Sequence, residues 1–220
     1  MRRTPDNAQN ESTRQALLQA AAEVFAEHGF QIARMRQIAE QAGANLSAIN
    51  YHFGSKEGLY EAVLDAGAKD VIGRYPLITE ETRALAPEER FRHLVRNLLR
   101  RFISPQTPSM MSRLMVRELA NPTKALESVV ETISKTQMQV VAGLVRELMG
   151  GEPDMDVVRR CTLSVVGQCL FCLFGRPLLS RLAPEIYASE EGIDTLAAHI
   201  AHFSLAGIAA YSAVDMGGAS

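Results

Sequence analysis

The chain has 220 residues, of which 47% are hydrophobic and 22% are charged. This composition can fill a core and excludes an intrinsically disordered protein, while the length is typical of one or two domains. The formal net charge of -2 excludes a strongly basic protein that coats polyanions over its whole surface. It leaves room for a local DNA-reading surface.

Two features bear on the cellular compartment. The three cysteines are an odd number in a chain of this length, which is typical of a reducing compartment. The first 13 residues contain no apolar core, so no secretory signal is expected and the predicted localisation is cytoplasmic. The 19 residues of 196–214 contain no Asp, Glu, Lys or Arg, but His199, His202 and two serines favour a buried helix over a membrane span.

The chain begins with a polar stretch, residues 1–11, which contains a proline and predicts a flexible tail. Ser12 and Gln15 then match a capping box, in which two side chains satisfy amides at a helix start. Apolar residues recur at helical spacing from there to Gly29, a predicted C-cap. The first long helix is therefore expected between Ser12 and Gly29.

Two short helices are predicted next, over 35–42 and 46–52, and the turn between them contains Gly43. Asn45 is expected to cap the second of these helices. This arrangement is typical of a helix-turn-helix. A longer helix is predicted over 55–72.

The remaining chain also has helical spacing, and no window has the sustained alternation of a strand. We therefore predict an all-α protein with a three-helix head and a larger helical body. The arginines of the 87–103 helix are expected to form a solvated face. Helices are predicted over 87–103, 109–120, 123–149, 155–174 and 190–214. The predicted domains are a tail (1–11), a helix-turn-helix DNA-binding domain (12–54), an effector-binding and dimerisation domain (55–214) and a second tail (215–220).

The second helix of a helix-turn-helix lies in the major groove and presents its first residues to base edges. The short side chains near the start of the 46–52 helix are expected to face bases. The longer side chains near its end are expected to reach phosphates. The base-facing candidates are Leu46, Ser47, Ala48 and Asn50, and the phosphate-facing candidates are Tyr51, His52 and Lys56.

Residues spread over about 12–64 form a recognisable pattern: Gly29, Arg36, Ile38-Ala39, Ala42-Gly43, Tyr51-His52-Phe53, Lys56 and Leu59. With this pattern, the stretch resembles the DNA-binding head of the tetracycline-repressor (TetR) family. A narrower pattern consists of Asn45-Leu46, residues 50–57 and residues 117–123. With it, the body resembles the subset that has a CerR/CecR-type C-terminal domain.

The resemblance implies a homodimeric repressor that binds a palindromic operator in double-stranded DNA and is released by a small, largely apolar molecule bound in the body. It also implies that Arg36 and Asn45 join the seven DNA-contacting residues named above. The chain departs from the family at Ala33 and Arg34, where a Thr or Ser is common. A hydroxyl cap is therefore missing there, and Arg34 is expected to replace it as a phosphate ligand.

Two neighbouring stretches of the body have few charges: residues 161–175 contain none, and the last helix contains nearly as few. An all-round apolar helix needs cover on both faces, which predicts either a two-fold dimer or a larger monomeric core. Small residues on the last helix permit close approach. The predicted dimer-interface residues are Val166, Cys169, Leu170, Leu173, Ala197, Ile200, Ala201, Phe203 and Gly207.

Methionine and phenylalanine side chains of the body can line an adaptable apolar pocket, or they can form an ordinary core. Arg117 and Glu118 are candidates to fix a ligand, or they form a structural pair beside Pro122. The predicted ligand-binding residues are His93, Met111, Met115, Arg117, Glu118, Met138, Phe171 and Phe174.

No metal site or cofactor is expected. His199 and His202 are close enough to share a metal, but no acidic or cysteine partner accompanies them. Cys169 and Cys172 are interpreted as core residues, with a redox-sensing pair as the alternative. Glu118, His93 and Cys172 are the candidate residues for an enzyme, but they do not form a nucleophile–base pair at a characteristic spacing. No enzymatic activity is therefore predicted. The alternative function is a helical partner-binding scaffold without DNA contact.

Overall fold

The computed structural model describes residues 5–104, 109–129, 131 and 134–215. These residues form thirteen helices and no strand, which confirms the all-α prediction. In chain order the helices are α1 (Pro5–Ile32), α2 (Met35–Gln41), α3 (Leu46–Phe53), α4 (Lys56–Arg74), α5 (Glu80–Arg83), α6 (Pro87–Ile103), α7 (Ser109–Ala120), α8 (Lys124–Val129), α9 (Lys135–Met149), α10 (Met155–Phe174), α11 (Arg176–Leu182), α12 (Glu185–Ala188) and α13 (Glu190–Asp215).

The chain divides into two compact units, and it passes from one to the other within α4. The predicted domain boundary between residues 54 and 55 lies inside the first unit, because most of α4 belongs with the helix-turn-helix. Of the predicted tail at 215–220, Asp215 ends α13 and the other residues lie outside the described part. The first unit contains Met1–Asp70 and Pro108–Val130, and the second contains Val71–Thr107 and Glu131–Ser220.

The start of α1 differs from the prediction. The helix begins at Pro5, so the flexible tail is wrong for residues 5–11, while residues 1–4 lie outside the described part. A proline suits the first turn of a helix because the N–H that it lacks has no helical partner at that position. The capping box predicted at Ser12 consequently lies inside the helix.

Apolar side chains of α1 form the core of the first unit. Phe25 is fully buried, and its ring meets the ring of Tyr60 edge-on with the centroids 4.9 Å apart. Ile38 of α2 and Ile49 of α3 are also fully buried. These contacts hold two helices of seven and eight residues, which are too short to be stable alone.

The second unit is centred on α6. Its apolar stripe, which runs from Phe91 to Ile103, is buried except for the half-buried Phe102, and α9, α10 and α13 pack against this helix. Arg100 adds an ion pair to α13, with its Nη2 2.8 Å from Oδ1 of Asp194. By length and composition alone, α10 and α13 could each cross a membrane, and 33% of the apolar window of each helix is buried inside the protein.

Several elements of the second half differ from the prediction. The sequence did not predict α5, α11 and α12, which have four to seven residues. A helix this short shows no clear period and is predicted only where a flanking residue marks its end, as Gly43 does for α2. Within the range of the single helix predicted over 123–149, the described residues form α8 and α9, and residues 131 and 134 between them are π-helical. Residues 130, 132 and 133, between these two helices, lie outside the described part.

The arginines of α6 do not all form the predicted solvated face. Arg92 and Arg96 are exposed, but Arg101 is buried, with 6% of its surface accessible. Arg101 stands seven residues after Leu94 and three after Leu98, so the helical period places it on the apolar stripe. The prediction of a fully solvated arginine face is therefore wrong.

Candidate nucleic-acid interface and ligand cavities

The start of α3 is capped by Asn45, as the sequence predicts. Its Oδ1 accepts a hydrogen bond from the backbone N–H of Ala48 at 2.8 Å. The hydroxyl of Ser47 donates to the same oxygen at 2.6 Å. This cap satisfies an amide that would otherwise lack a partner and fixes the first turn of the helix.

One side of α3 is anchored and the other is open. Ile49 is fully buried, whereas Leu46, Ser47 and Asn50 are exposed and Tyr51 keeps 76% of its surface accessible. The predicted base-facing residues other than Ala48, which is half-buried, therefore share an exposed surface at the start of the helix. A helix with this exposure can lie in a groove without disturbing its own packing.

The two last phosphate-facing candidates are less free. His52 is half-buried, with its ring 5.0 Å from that of Tyr51. Lys56 donates from Nζ to the carbonyl oxygen of Gln31 at 3.2 Å, and its Nζ lies 4.9 Å from the centroid of the Phe30 ring. Partial burial lowers the pKa of Lys56. Lys56 therefore already has an intramolecular role beside its predicted phosphate contact.

The first turn of α2 carries two exposed arginines. Arg34 occupies the N-cap position with φ -107° and ψ 128°, and its side chain makes no capping hydrogen bond. This confirms that the hydroxyl cap is missing. Arg34 and Arg36 are exposed, so both side chains are available to DNA phosphates. Their binding to phosphates stays a prediction.

Glu118 is a structural carboxylate in the first unit. It is 1% accessible, and its Oε2 accepts the hydroxyl of Tyr60 at 2.8 Å. Its Oε1 accepts the backbone N–H and the hydroxyl of Thr123 at 2.7 and 2.8 Å. Burial, followed by the bond to Glu118, raises the pKa of Tyr60 well above its usual range. Both Glu118 oxygens are thus occupied, which favours the structural-pair interpretation over a role in fixing a ligand.

Arg117 ties α7 to the end of α1. Its Nη2 donates to the carbonyl oxygen of Glu27 at 3.0 Å. Its Nη1 approaches so close to Gly29 that a Cβ there would lie 3.1 Å away. Gly29 also has φ 79°, so it serves both a kink in α1 and this close contact.

The predicted ligand-binding residues do not form one site. Arg117 and Glu118 line a cleft of about 1020 Å³ in the first unit, and Met111 lines a separate cavity of about 410 Å³ there. Phe171 and Phe174 are exposed on α10. The prediction is therefore wrong as a single pocket, because helical spacing identifies apolar faces but not which faces meet. Five of the predicted residues line neither of these cavities, nor the cavity of the second unit that is described next: His93, Met115, Met138, Phe171 and Phe174.

A third cavity, of about 550 Å³, lies in the second unit. Arg83, Arg90 and Arg101 line it together with apolar side chains. The sequence did not predict this site, although the position of Arg101 on the apolar stripe of α6 indicated that this arginine is buried. Arg101 donates from Nε to the carbonyl oxygen of Tyr75 at 2.7 Å.

The predicted dimer-interface residues fall into two groups. Cys169, Leu173, Ala197, Ile200 and Ala201 are buried within their own protomer, so their assignment to an interface is wrong. The cause is that both faces of α10 and α13 are apolar, and the sequence does not distinguish the inner face from the outer one. Phe203 and Gly207 are exposed, and Val166 and Leu170 are half-buried.

The cysteines are all free, and Cys169 and Cys172 are buried. Burial raises the pKa of Cys169 to about 12 and also raises that of Cys172. Thiolate formation is therefore disfavoured, which supports the core interpretation of this pair. Within the part of the chain that the structure describes, no three His, Cys, Asp or Glu side chains are grouped as a metal site requires.

Two family models match the chain. Residues 17–63 match the bacterial regulatory proteins of the tetR family, and residues 87–208 match the C-terminal domain of the HTH-type transcriptional dual regulator CecR. The chain belongs to the TetR family. Its body is a CecR-type C-terminal domain, so both levels of the resemblance are confirmed. As a member of the TetR family, the protein is a helix-turn-helix, DNA-binding transcriptional regulator.

Curated relatives agree with this assignment. The HTH-type transcriptional dual regulator CecR of Shigella flexneri is 30% identical over 175 residues, which cover 76% of this chain and 78% of that protein. The HTH-type transcriptional regulator RutR of Escherichia coli K12 is 47% identical over 51 residues, or 23% of this chain and 24% of that protein. The relatives are transcriptional regulators, a class that is generally not enzymatic.

Solved TetR-like structures share the fold. The regulator FadR from Bacillus subtilis, solved in complex with stearoyl-CoA, has a TM-score of 0.67 at 17% identity and covers 88% of this chain and 98% of its own. The TetR-family regulator PfmR from Thermus thermophilus has a TM-score of 0.62 at 17% identity, and the match covers 87% of this chain and 95% of that one.

Proposed function

We propose that the protein is a cytoplasmic, homodimeric repressor that binds a palindromic operator through α3 and leaves it when a small molecule binds in the second unit. It has no enzymatic activity in this proposal. The observation that carries the proposal is the open face of α3, which Asn45 caps and Ile49 anchors. Short side chains at the start of that face allow close approach to base edges.

The outer faces of α10 and α13 support the homodimer. Leu163 and Phe171 on α10, and Phe203 on α13, are each more than half exposed. Gly167 and Gly207 lie on the same faces, and a Cβ at either would meet no described atom within 4 Å. A glycine inside a helix destabilises it by about 1 kcal/mol relative to alanine, so close approach by a second protomer gives these glycines a purpose.

A dimer presents two copies of α3 to the DNA. Two half-sites are read when the recognition helices lie about 34–36 Å apart, one turn of the duplex. A ligand that favours another separation lowers operator affinity, and the coupling is typically about 1–3 kcal/mol. Helix α4 is the proposed lever because the chain passes from one unit to the other within it. The stearoyl-CoA complex of the FadR relative supports a ligand in this fold.

The DNA face is tested by titrating DNA from upstream of the protein's own gene in a gel-shift assay. We expect Arg36→Ala to weaken binding and to reduce the slope of log affinity against log salt by about 1, because one phosphate contact is lost. Tyr51→Ala is expected to weaken binding without a change in folding, since Tyr51 is 76% accessible.

Arg92→Ala is the matched control, because Arg92 is exposed on α6 in the second unit. It should leave affinity and salt slope unchanged. Equal binding by the wild-type protein, Arg36→Ala and Tyr51→Ala would contradict the DNA face. Absence of any wild-type binding would contradict the repressor itself.

A further inference from the structure

The cavity of the second unit contains a buried cation, Arg101, that has no counterion among the residues the structure describes. Arg101 lines the cavity and is 6% accessible, yet it forms no ion pair with any described residue. Its Nη1 is buried without a hydrogen-bond partner among these residues, while its Nε is bound to the carbonyl oxygen of Tyr75. The segments outside the described part include no Asp or Glu, and the two acidic residues within helices whose side chains are not described are Asp6, in the first unit, and Asp215. Asp215 ends α13 about 30 Å of helix away from Asp194, which pairs with the neighbouring Arg100.

A buried charge without a partner is unfavourable, and a buried arginine without one is rare. Burial lowers the pKa of Arg101 to about 10, which still leaves the guanidinium protonated at neutral pH. Its planar group offers parallel N–H donors that match the oxygens of a carboxylate or phosphate. An anion in the cavity would supply the partner that the described residues do not.

The other residues that line the cavity indicate the chemistry of the rest of the ligand. Ile72, Leu77, Ile78 and Val140 line the same cavity, so most of a bound molecule would touch apolar surface. The volume of about 550 Å³ lies within the range of about 300–1,000 Å³ that small-molecule sites occupy. Two further cations line the cavity, and each has a carboxylate partner: Arg83 pairs with Glu80, and Arg90 pairs with Glu147.

We infer that this cavity binds an amphiphilic anion, whose carboxylate or phosphate pairs with Arg101 and whose apolar chain lies against Ile72, Leu77 and Val140. The inference names the effector class of the proposed regulator and therefore rests on that function. It also narrows the sequence prediction of a largely apolar effector, because the apolar chain must end in a negative charge.

The test is a calorimetric titration of the full-length protein with three ten-carbon probes: sodium decanoate, decyl phosphate and 1-decanol. We expect one anion to bind per protomer, about 10-fold or more tightly than the alcohol, because a hydrogen bond to a charged group is stronger than a neutral one. The tighter of the two anions identifies the preferred head group. Equal binding of the alcohol and both anions, or no binding of either anion, would overturn the inference.

Two variants locate the effect. Arg101→Met removes the guanidinium and keeps an unbranched side chain, so the preference for the anions over decanol should be lost. Arg92→Met changes an exposed arginine on the same helix and should keep the preference. Equal loss in both variants, or full retention in a folded Arg101→Met, would contradict the assignment. If Arg101→Met does not fold, as judged by circular dichroism, the wild-type comparison still decides.

The same preparation is tested for operator binding in the absence of any probe. Intact operator binding without anion binding overturns this inference and leaves the proposed repressor standing. Anion binding without operator binding overturns the repressor and leaves the cavity assignment standing. The two failures are therefore distinguishable.

Discussion

Single residues decide how the first unit holds together. Glu118 accepts three hydrogen bonds at 1% accessibility, and its partner Tyr60 comes from another helix, 58 residues earlier in the chain. The sequence did not decide whether Glu118 binds a ligand or belongs to a structural pair, because residue spacing does not reveal a partner so far away in the chain. The geometry favours the structural role, since both carboxylate oxygens are occupied.

Glu118→Ala should lower the free energy of unfolding by about 2–3 kcal/mol, because it leaves the hydroxyl of Tyr60 and the amide of Thr123 without an acceptor in a buried site. Urea denaturation followed by circular dichroism measures the change. Glu127→Ala is the control, since Glu127 is exposed on α8, and its effect should be within about 0.5 kcal/mol. Equal effects of the two substitutions would refute the structural role of Glu118.

At the scale of elements, the sequence predicted the helices with local boundary signals. The bounds of α2, α3, α7 and α10 agree with the prediction to within one residue, because Asn45, Gly43 and similar residues act on their immediate neighbours. The start of α1 was missed. At this place the sequence offered a misleading capping box at Ser12.

The cap of α3 is tested by two substitutions of Asn45, one that removes the capping oxygen and one that keeps it. Asn45→Ala should destabilise the protein by about 1 kcal/mol, because the amide of Ala48 loses its acceptor. Asn45→Asp keeps an acceptor and should retain the stability. It should nevertheless weaken operator binding, since it adds a negative charge at the proposed DNA face. Thermal unfolding and gel shifts separate the two effects; an equal loss of stability in both variants would contradict the capping role.

At the scale of the whole molecule, the sequence identified the two apolar helices but not their outer faces. A period of 3.6 distinguishes faces only where polar and apolar residues differ, and α10 and α13 are apolar nearly all round. Burial in the structure separates Cys169 and Ala201, which face inward, from Phe171 and Phe203, which face outward. The proposed dimer face follows from this distinction.

Gly207→Arg should convert the proposed dimer to a monomer, because a long charged side chain would stand between the two protomers. Sedimentation velocity measures the change. Gly143→Arg is the matched control on α9, where a Cβ would likewise meet no described atom within 4 Å. The control should sediment like the wild type, and an unchanged Gly207→Arg dimer would exclude this face.

The uncovered rings of Phe171 and Phe203 carry a consequence for abundance in the cell. In the proposed dimer, pairing removes these rings from water, so folding and association share one free energy and dilution weakens both. At low protein concentration the dimers would dissociate, which would expose aromatic surface to proteases and chaperones and release the protein from the promoter. Because each occupied promoter needs two chains, silencing at low copy number would rise with the square of the amount synthesised.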